Sequence, residues 1–126
     1  MNSPKQVLAT YDLPDGALER TAAYFQALSE PSRLRLLNLL CSGEASVGDL
    51  AQACGLSIAN VSRHLALLAK QGLVKKELRG NSAFYNIADP TLHQICDLVC
   101  SRVANKLAAE SQANTAIIQS IKAAEQ

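Results

Sequence analysis

Apolar residues recur at three- and four-residue steps through five stretches of the chain, and alternate with polar ones in one place only. From Ala17 to Leu28 the repeating positions are Leu18, Ala22, Phe25 and Leu28, one face of a helix. A second helix opens at Pro31, whose missing N–H costs nothing in a first turn, runs through Leu34, Leu37, Leu39 and Leu40 to Cys41, and is closed by Gly43. A short third one begins behind Ser46, with Asp49 three residues on as a capping pair. It carries Val47, Leu50 and Ala51 inward and ends at Cys54, with Gly55 as the left-handed stop. Ser57 then caps a fourth, whose apolar side is Ile58, Val61, Leu65 and Leu68.

After Gly72 the period changes. Leu73–Val74–Lys75–Lys76–Glu77–Leu78 alternates as a strand, Arg79–Gly80–Asn81–Ser82 turns, and Ala83–Phe84–Tyr85–Asn86–Ile87 returns. Asp89 with Pro90 then starts a last helix, over about 90–122. Its apolar side holds Leu92, Ile95, Val99 and Val103, then Leu107, Ile117, Ile118 and Ile121. The order α-α-α-α-β-β-α, mainly α with a small β-hairpin, predicts a winged helix-turn-helix. Residues 1–16, with Pro4, Pro14 and Gly16, read as a loose N-terminal arm, and 17–126 as a single domain. A last helix of about 30 residues would be some 45 Å long, more than a domain this small can cover. Its surplus apolar surface, together with the first helix, predicts a two-fold dimer.

Charge sharpens the picture. The net charge is +1, yet between Ser57 and Asn81 five cations (Arg63, Lys70, Lys75, Lys76, Arg79) face the single anion Glu77. The remainder of the chain is therefore net negative, and the hairpin and the helix before it form a basic footprint for phosphate. Opposite its apolar stripe the fourth helix shows Asn60, Arg63 and Lys70, with Ser62 and His64 on the flanks. Any solvent-facing helix shows polar residues there; the basic hairpin directly behind it is what points to duplex DNA. Asn can pair adenine and Arg guanine in a bidentate way, and small hydroxyls reach bases or phosphates. The expected contacts are Ser57, Asn60, Ser62, Arg63, His64 and Lys70 on the helix, with Lys75, Lys76, Arg79 and Asn81 on the wing. Arg33 and Arg35 face two readings, DNA backbone or acidic neighbours.

Composition closes other routes. The residues from Met1 to Gly16 contain no apolar signal core, and the best apolar run, Leu34 to Cys41, is broken by Arg35 and Asn38. The expectation is a cytoplasmic protein with no membrane partner. No Trp and few aromatics argue against stacking on single strands. Cys54 and His64 fall on neighbouring helices without an orienting third group, so no enzyme is expected. The four cysteines, Cys41, Cys54, Cys96 and Cys100, are thiols by default in a reducing compartment.

Ala27–Leu28–Ser29–Glu30–Pro31–Ser32–Arg33–Leu34, Val47 to Leu50, Val61–Ser62–Arg63–His64–Leu65–Ala66–Leu67–Leu68, Gly72–Leu73–Val74 and the closing Phe84–Tyr85–Asn86–Ile87 together resemble the ArsR/SmtB type of winged-helix regulator. The resemblance covers roughly residues 17 to 103. It implies a homodimeric repressor, joined through its terminal helices, that leaves its operator when a metal, metalloid or oxidant reaches a cysteine or histidine site. The sensing site departs from the familiar patterns. Where arsenite-type members carry Cys-x-Cys, this chain has Ser46 and Gly48. Where zinc-type members carry Asp and His on the last helix, Asp89 is followed by Thr91, Arg102 and Asn105. Ile58–Ala59 stands where some relatives have Gln-Pro.

Cys96 and Cys100 remain, four apart and ~6 Å from each other on one helical face. Two thiolates suit soft ions: As(III), Sb(III), cadmium, lead or copper(I). His93, Cys41, a partner's residue or water are candidates for a third ligand, and two pairs could also meet across the dimer axis. A redox or persulfide switch on the same thiols is the alternative, and plain packing at a helix interface a third reading. No obligatory cofactor is expected.

Overall fold

The computed structural model describes residues 12–125. Most of the proposed N-terminal arm, residues 1–11, lies outside them. The described chain divides into two compact units, one ending at Ala88 and one beginning at Asp89.

The first unit holds α1 (Ala17–Leu28), α2 (Pro31–Leu40), β1 (Ala45–Ser46), α3 (Val47–Cys54), α4 (Ile58–Lys70), β2 (Val74–Arg79) and β3 (Ser82–Ile87). Its helix starts follow local chemistry. Glu30 caps α2 through its carboxylate, which accepts the N–H of Arg33 at 2.9 Å, with Pro31 next in line. Ser46 accepts from Asp49 N–H at 3.1 Å and opens α3; Ser57 accepts from Asn60 N–H at 3.1 Å and opens α4. Gly55 stops α3 at φ 67°, where a β-carbon would be strained.

β2 and β3 form the wing, with Val74 opposite Ile87 and Arg79 opposite Ser82. The two-residue turn has a positive φ only at Gly80, the first central residue, as a type II′ hairpin requires. A third strand was not expected: β1 pairs antiparallel with β3, Ala45 opposite Tyr85 and Ser46 opposite Phe84, so the sheet order is β1-β3-β2. Two residues cannot show alternation, and their partner lies some forty positions on, so no local pattern signals this strand.

The core gathers Leu36, Leu37 and Leu40 of α2, Leu50 of α3, Val61, Leu65 and Leu68 of α4, and Leu73 and Tyr85 from the wing. Two details differ from the periodicity. In α2 Leu36 joins Leu37 and Leu40 inside, while Leu34 is 39 % exposed. Ile58 was placed on the apolar stripe of α4 but is 60 % exposed, because it occupies the first helical position and the core does not reach that far.

The second unit is the single helix α5, Thr91–Ala124, of 34 residues and about 51 Å. It begins one residue later than expected: Pro90 takes the N-cap position, and Asp89 Oδ1 accepts the N–H of Thr91 at 3.0 Å. Leu92 is its buried residue. Leu98, Val99, Val103, Leu107, Ile117, Ile118 and Ile121 are all at least half exposed in a single copy of the chain. The same holds for Leu18 and Phe25 of α1.

Candidate nucleic-acid interface

The helix α4 buries Val61, Leu65 and Leu68, and this fixes which residues point away. At 100° per residue Ala59, Arg63, Ala66 and Lys70 fall within about 60° of one another, opposite the core. All four are exposed, as is Ser62 beside them. Sequence reading missed Ala59 and Ala66, since it looked for hydrogen-bonding groups. Small methyl-bearing residues let a helix approach base edges closely and can meet a thymine methyl. The angular position was there to be read.

Asn60 and His64 lie on the other flank and are partly buried. The Asn60 carboxamide oxygen accepts a hydrogen bond from Arg63 Nη2 one turn on, so the two side chains act as one polar unit. His64 turns inward. Its side chain is 18 % exposed, with Nε2 3.9 Å from Glu30 Oε2. Glu30 thus lies against both the start of α2 and the middle of α4. Burial pushes its carboxyl up, but the N–H groups of Arg33 and Ser32, with the charges of His64 and Arg33, hold it below the ordinary glutamate value. A His64 held this way is a strut between helices. The hydroxyl of Ser57 spends a lone pair on the cap and keeps its proton for an outside acceptor.

In the wing, cross-strand pairing puts Lys75 with Asn86 and Lys76 with Tyr85, so strand alternation sends the two lysines to opposite faces. Arg79 is not an open cation. It forks onto Glu44 at 2.6 and 2.7 Å, reaches Glu77 at 2.9 Å, and lies 4.8 Å from the centre of the Phe84 ring. The Glu44 and Glu77 hydrogen bonds raise its pKa further, and Arg79 in turn pulls the Glu44 carboxyl below its ordinary value. Asn81 is exposed at the turn.

On α5, His93, Cys96 and Cys100 share one side, with Cys96 partly buried and Cys100 exposed. His93 and Cys100 are seven residues apart, about 10.5 Å along a regular helix, so one ion cannot bind both. Among the described residues no three His, Cys, Asp or Glu side chains converge as an ion site, and the four cysteines form no disulfide. Cys41 ends α2 in the first unit.

The description "Bacterial regulatory protein, arsR family" matches residues 30–76, which run from the cap of α2 through α4 into β2. A probable mercury resistance operon repressor of Streptomyces lividans is 35 % identical over 106 residues, covering 84 % of this chain and 81 % of that protein. The chain belongs to the ArsR family.

Solved structures agree with the fold. The AntR antimony-specific transcriptional repressor superposes with a TM-score of 0.69 at 30 % identity, over 86 % of this chain and 99 % of that one. The homodimeric winged helix-turn-helix DNA-binding domain of Mb0332 from Mycobacterium bovis superposes at 0.68 with 27 % identity, over 84 % and 91 %. This ArsR-family chain is a winged helix-turn-helix transcriptional regulator. Among its described residues no helix is long and apolar enough to cross a membrane.

Proposed function

We propose that this protein is a homodimeric repressor that sets the α4 helices of two copies into successive major grooves, about 34 Å apart, and leaves the operator when a thiophilic metal or metalloid reaches Cys96 and Cys100. Arg63, braced by Asn60, reads a base edge; Ala59 and Ser62 line the approach; Ser57, Lys70, Lys75 and Asn81 meet phosphates, while Lys76 leaves the opposite face of the wing, the face of Tyr85. Arg79 holds the wing in shape. The long apolar surface of α5, with that of α1, forms the subunit contact.

The observation that carries the sensing half is the thiol pair, four residues apart on a helix whose apolar side calls for a partner. The names of two relatives, a probable mercury resistance operon repressor and an antimony-specific transcriptional repressor, carry sulfur-seeking elements and support the class of inducer. Two thiolates are the donors this helix supplies. Its geometry keeps His93 off an ion held by Cys100, so the third ligand comes from outside this stretch. A soft ion contributes strong bonds to sulfur. To act as inducer it must bind the DNA-released dimer more tightly than the DNA-bound one.

The test is duplex binding followed by fluorescence anisotropy, with mercury(II), arsenite, antimonite, cadmium, lead, peroxide and persulfide added in turn. The proposal expects release by one or more of the thiophilic elements in the wild type and none in the Cys96→Ser/Cys100→Ser variant. Release by peroxide or persulfide alone would replace it with redox sensing.

A further inference from the structure

Where α1 ends, α2 begins and the last turn of α4 passes, the surface sinks into an open hollow of about 450 Å³ lined by Gln26, Arg33, Ala66, Leu67, Lys70 and Gln71. Two of these are cations, and among the described residues no carboxylate stands within ion-pair distance of either. Glu30, the nearest acid in sequence to Arg33, gives its carboxylate to the Arg33 backbone N–H and to His64. Arg33 is also fixed in place. Its Nε donates to the carbonyl of Ala27 at 2.6 Å and its Nη2 to that of Gln26 at 3.1 Å, which leaves Nη1 without an acceptor among the described residues. A guanidinium tethered on one edge, sharing an open hollow with an ammonium and two Gln side chains, is suited to an oxyanion.

The position of the hollow says which oxyanion. Lys70 and Ala66 belong to the same outward stripe as Ala59 and Arg63. Lys70 lies eleven residues beyond Ala59, about 16 Å along the helix. The major groove is about 12 Å wide. A helix that brings Ala59 and Arg63 to base edges therefore carries Lys70 past them, to the sugar–phosphate wall. We propose that this hollow seats a phosphate of the operator backbone, held by Arg33 and Lys70, at the wall of the groove that α4 reads. The inference rests on the DNA-binding reading above and adds Arg33 and the α1–α2 corner to the interface.

Lys70→Gln removes one cation without touching the core. Gln26→Glu sets a carboxylate beside Arg33 at an exposed position whose backbone carbonyl, not its side chain, holds the guanidinium. Binding of the full-length protein to operator and to scrambled duplex is measured over a range of salt. Each variant is expected to weaken both duplexes by the same factor, leaving their ratio unchanged. Each should also make the slope of log affinity against log salt shallower by about 0.9. Unchanged slopes in both variants, with the wild type binding normally, would overturn the phosphate seat while leaving the DNA reading intact. A changed operator-to-scrambled ratio would also overturn it, assigning Lys70 to bases. Failure of the wild type to bind duplex at all would instead remove the reading beneath it. Inorganic phosphate, titrated by amide chemical shifts, is expected to perturb Gln26, Arg33 and Lys70 weakly. Sub-millimolar saturation that does not compete with duplex would make the hollow a small-anion site and overturn the backbone assignment.

Discussion

Arg79 and Glu44 meet through two parallel hydrogen bonds of 2.6 and 2.7 Å, although 35 residues separate them. The pair ties the turn end of β2 to the residue just before β1, and the guanidinium also covers Phe84. A cation so engaged has little left for DNA. Arg79→Ala is accordingly expected to leave the salt dependence of duplex binding nearly unchanged, whereas Lys75→Ala makes its slope shallower by about 1. Equal changes in the two slopes would return Arg79 to the backbone contacts.

The same pair predicts a pH dependence. Arg79 lowers the folded-state pKa of Glu44 from the ordinary 4.5. A depressed carboxylate contributes stability above its unfolded pKa and loses it as pH falls through the folded one. Wild type should therefore unfold at a higher temperature than Glu44→Gln at neutral pH, with the gap closing below about pH 4.5. Both groups are solvent-exposed, so the gap is small. A gap that persists in acid would assign it to something other than the ion pair.

Because Asn60 steadies Arg63, their effects on binding should not add. Arg63→Ala is expected to cost ~1–3 kcal/mol and to relax preference at one base pair. Asn60→Ala should relax the same position, and the double variant should lose less than the sum of the two. Loss at two separate base pairs, measured by single-position operator substitutions, would show that the side chains read independently.

The exposed face of α5 predicts that Val103→Glu or Ile117→Glu yields monomers in sedimentation velocity. Operator affinity should then fall, because two half-sites no longer act together. Dimers of unaltered stability would place the contact elsewhere.

Stability should follow burial and not the bare periodicity. Leu36→Ala is expected to cost ~2–5 kcal/mol in urea unfolding and Leu34→Ala ~0.5 or less. Both are leucines of one short helix, two positions apart; only the neighbours differ.

The elements that depend on near neighbours in the chain were legible in advance. Ser46, Gly55 and Ser57 mark their helix ends because a cap is a contact over three residues. The recognition helix and the hairpin follow from a change of period at Gly72. The basic stretch from Ser57 to Asn81 is visible in the sequence as an excess of cations, and the spacing of the thiol pair on α5 follows from helix arithmetic alone.

What tertiary packing decided is the fate of each charge and each borderline apolar residue. Whether Arg79 faces DNA or Glu44, whether His64 points out or toward Glu30, and whether Leu34 or Leu36 is inside depend on residues distant in sequence. So does β1, two residues that become a strand only because β3 offers its edge. Arg33 gains its place from the carbonyls that end α1. Periodicity reports the direction in which a side chain leaves its own backbone. What it meets there is set by the other elements, and a long polar side chain will turn several ångströms to reach a partner.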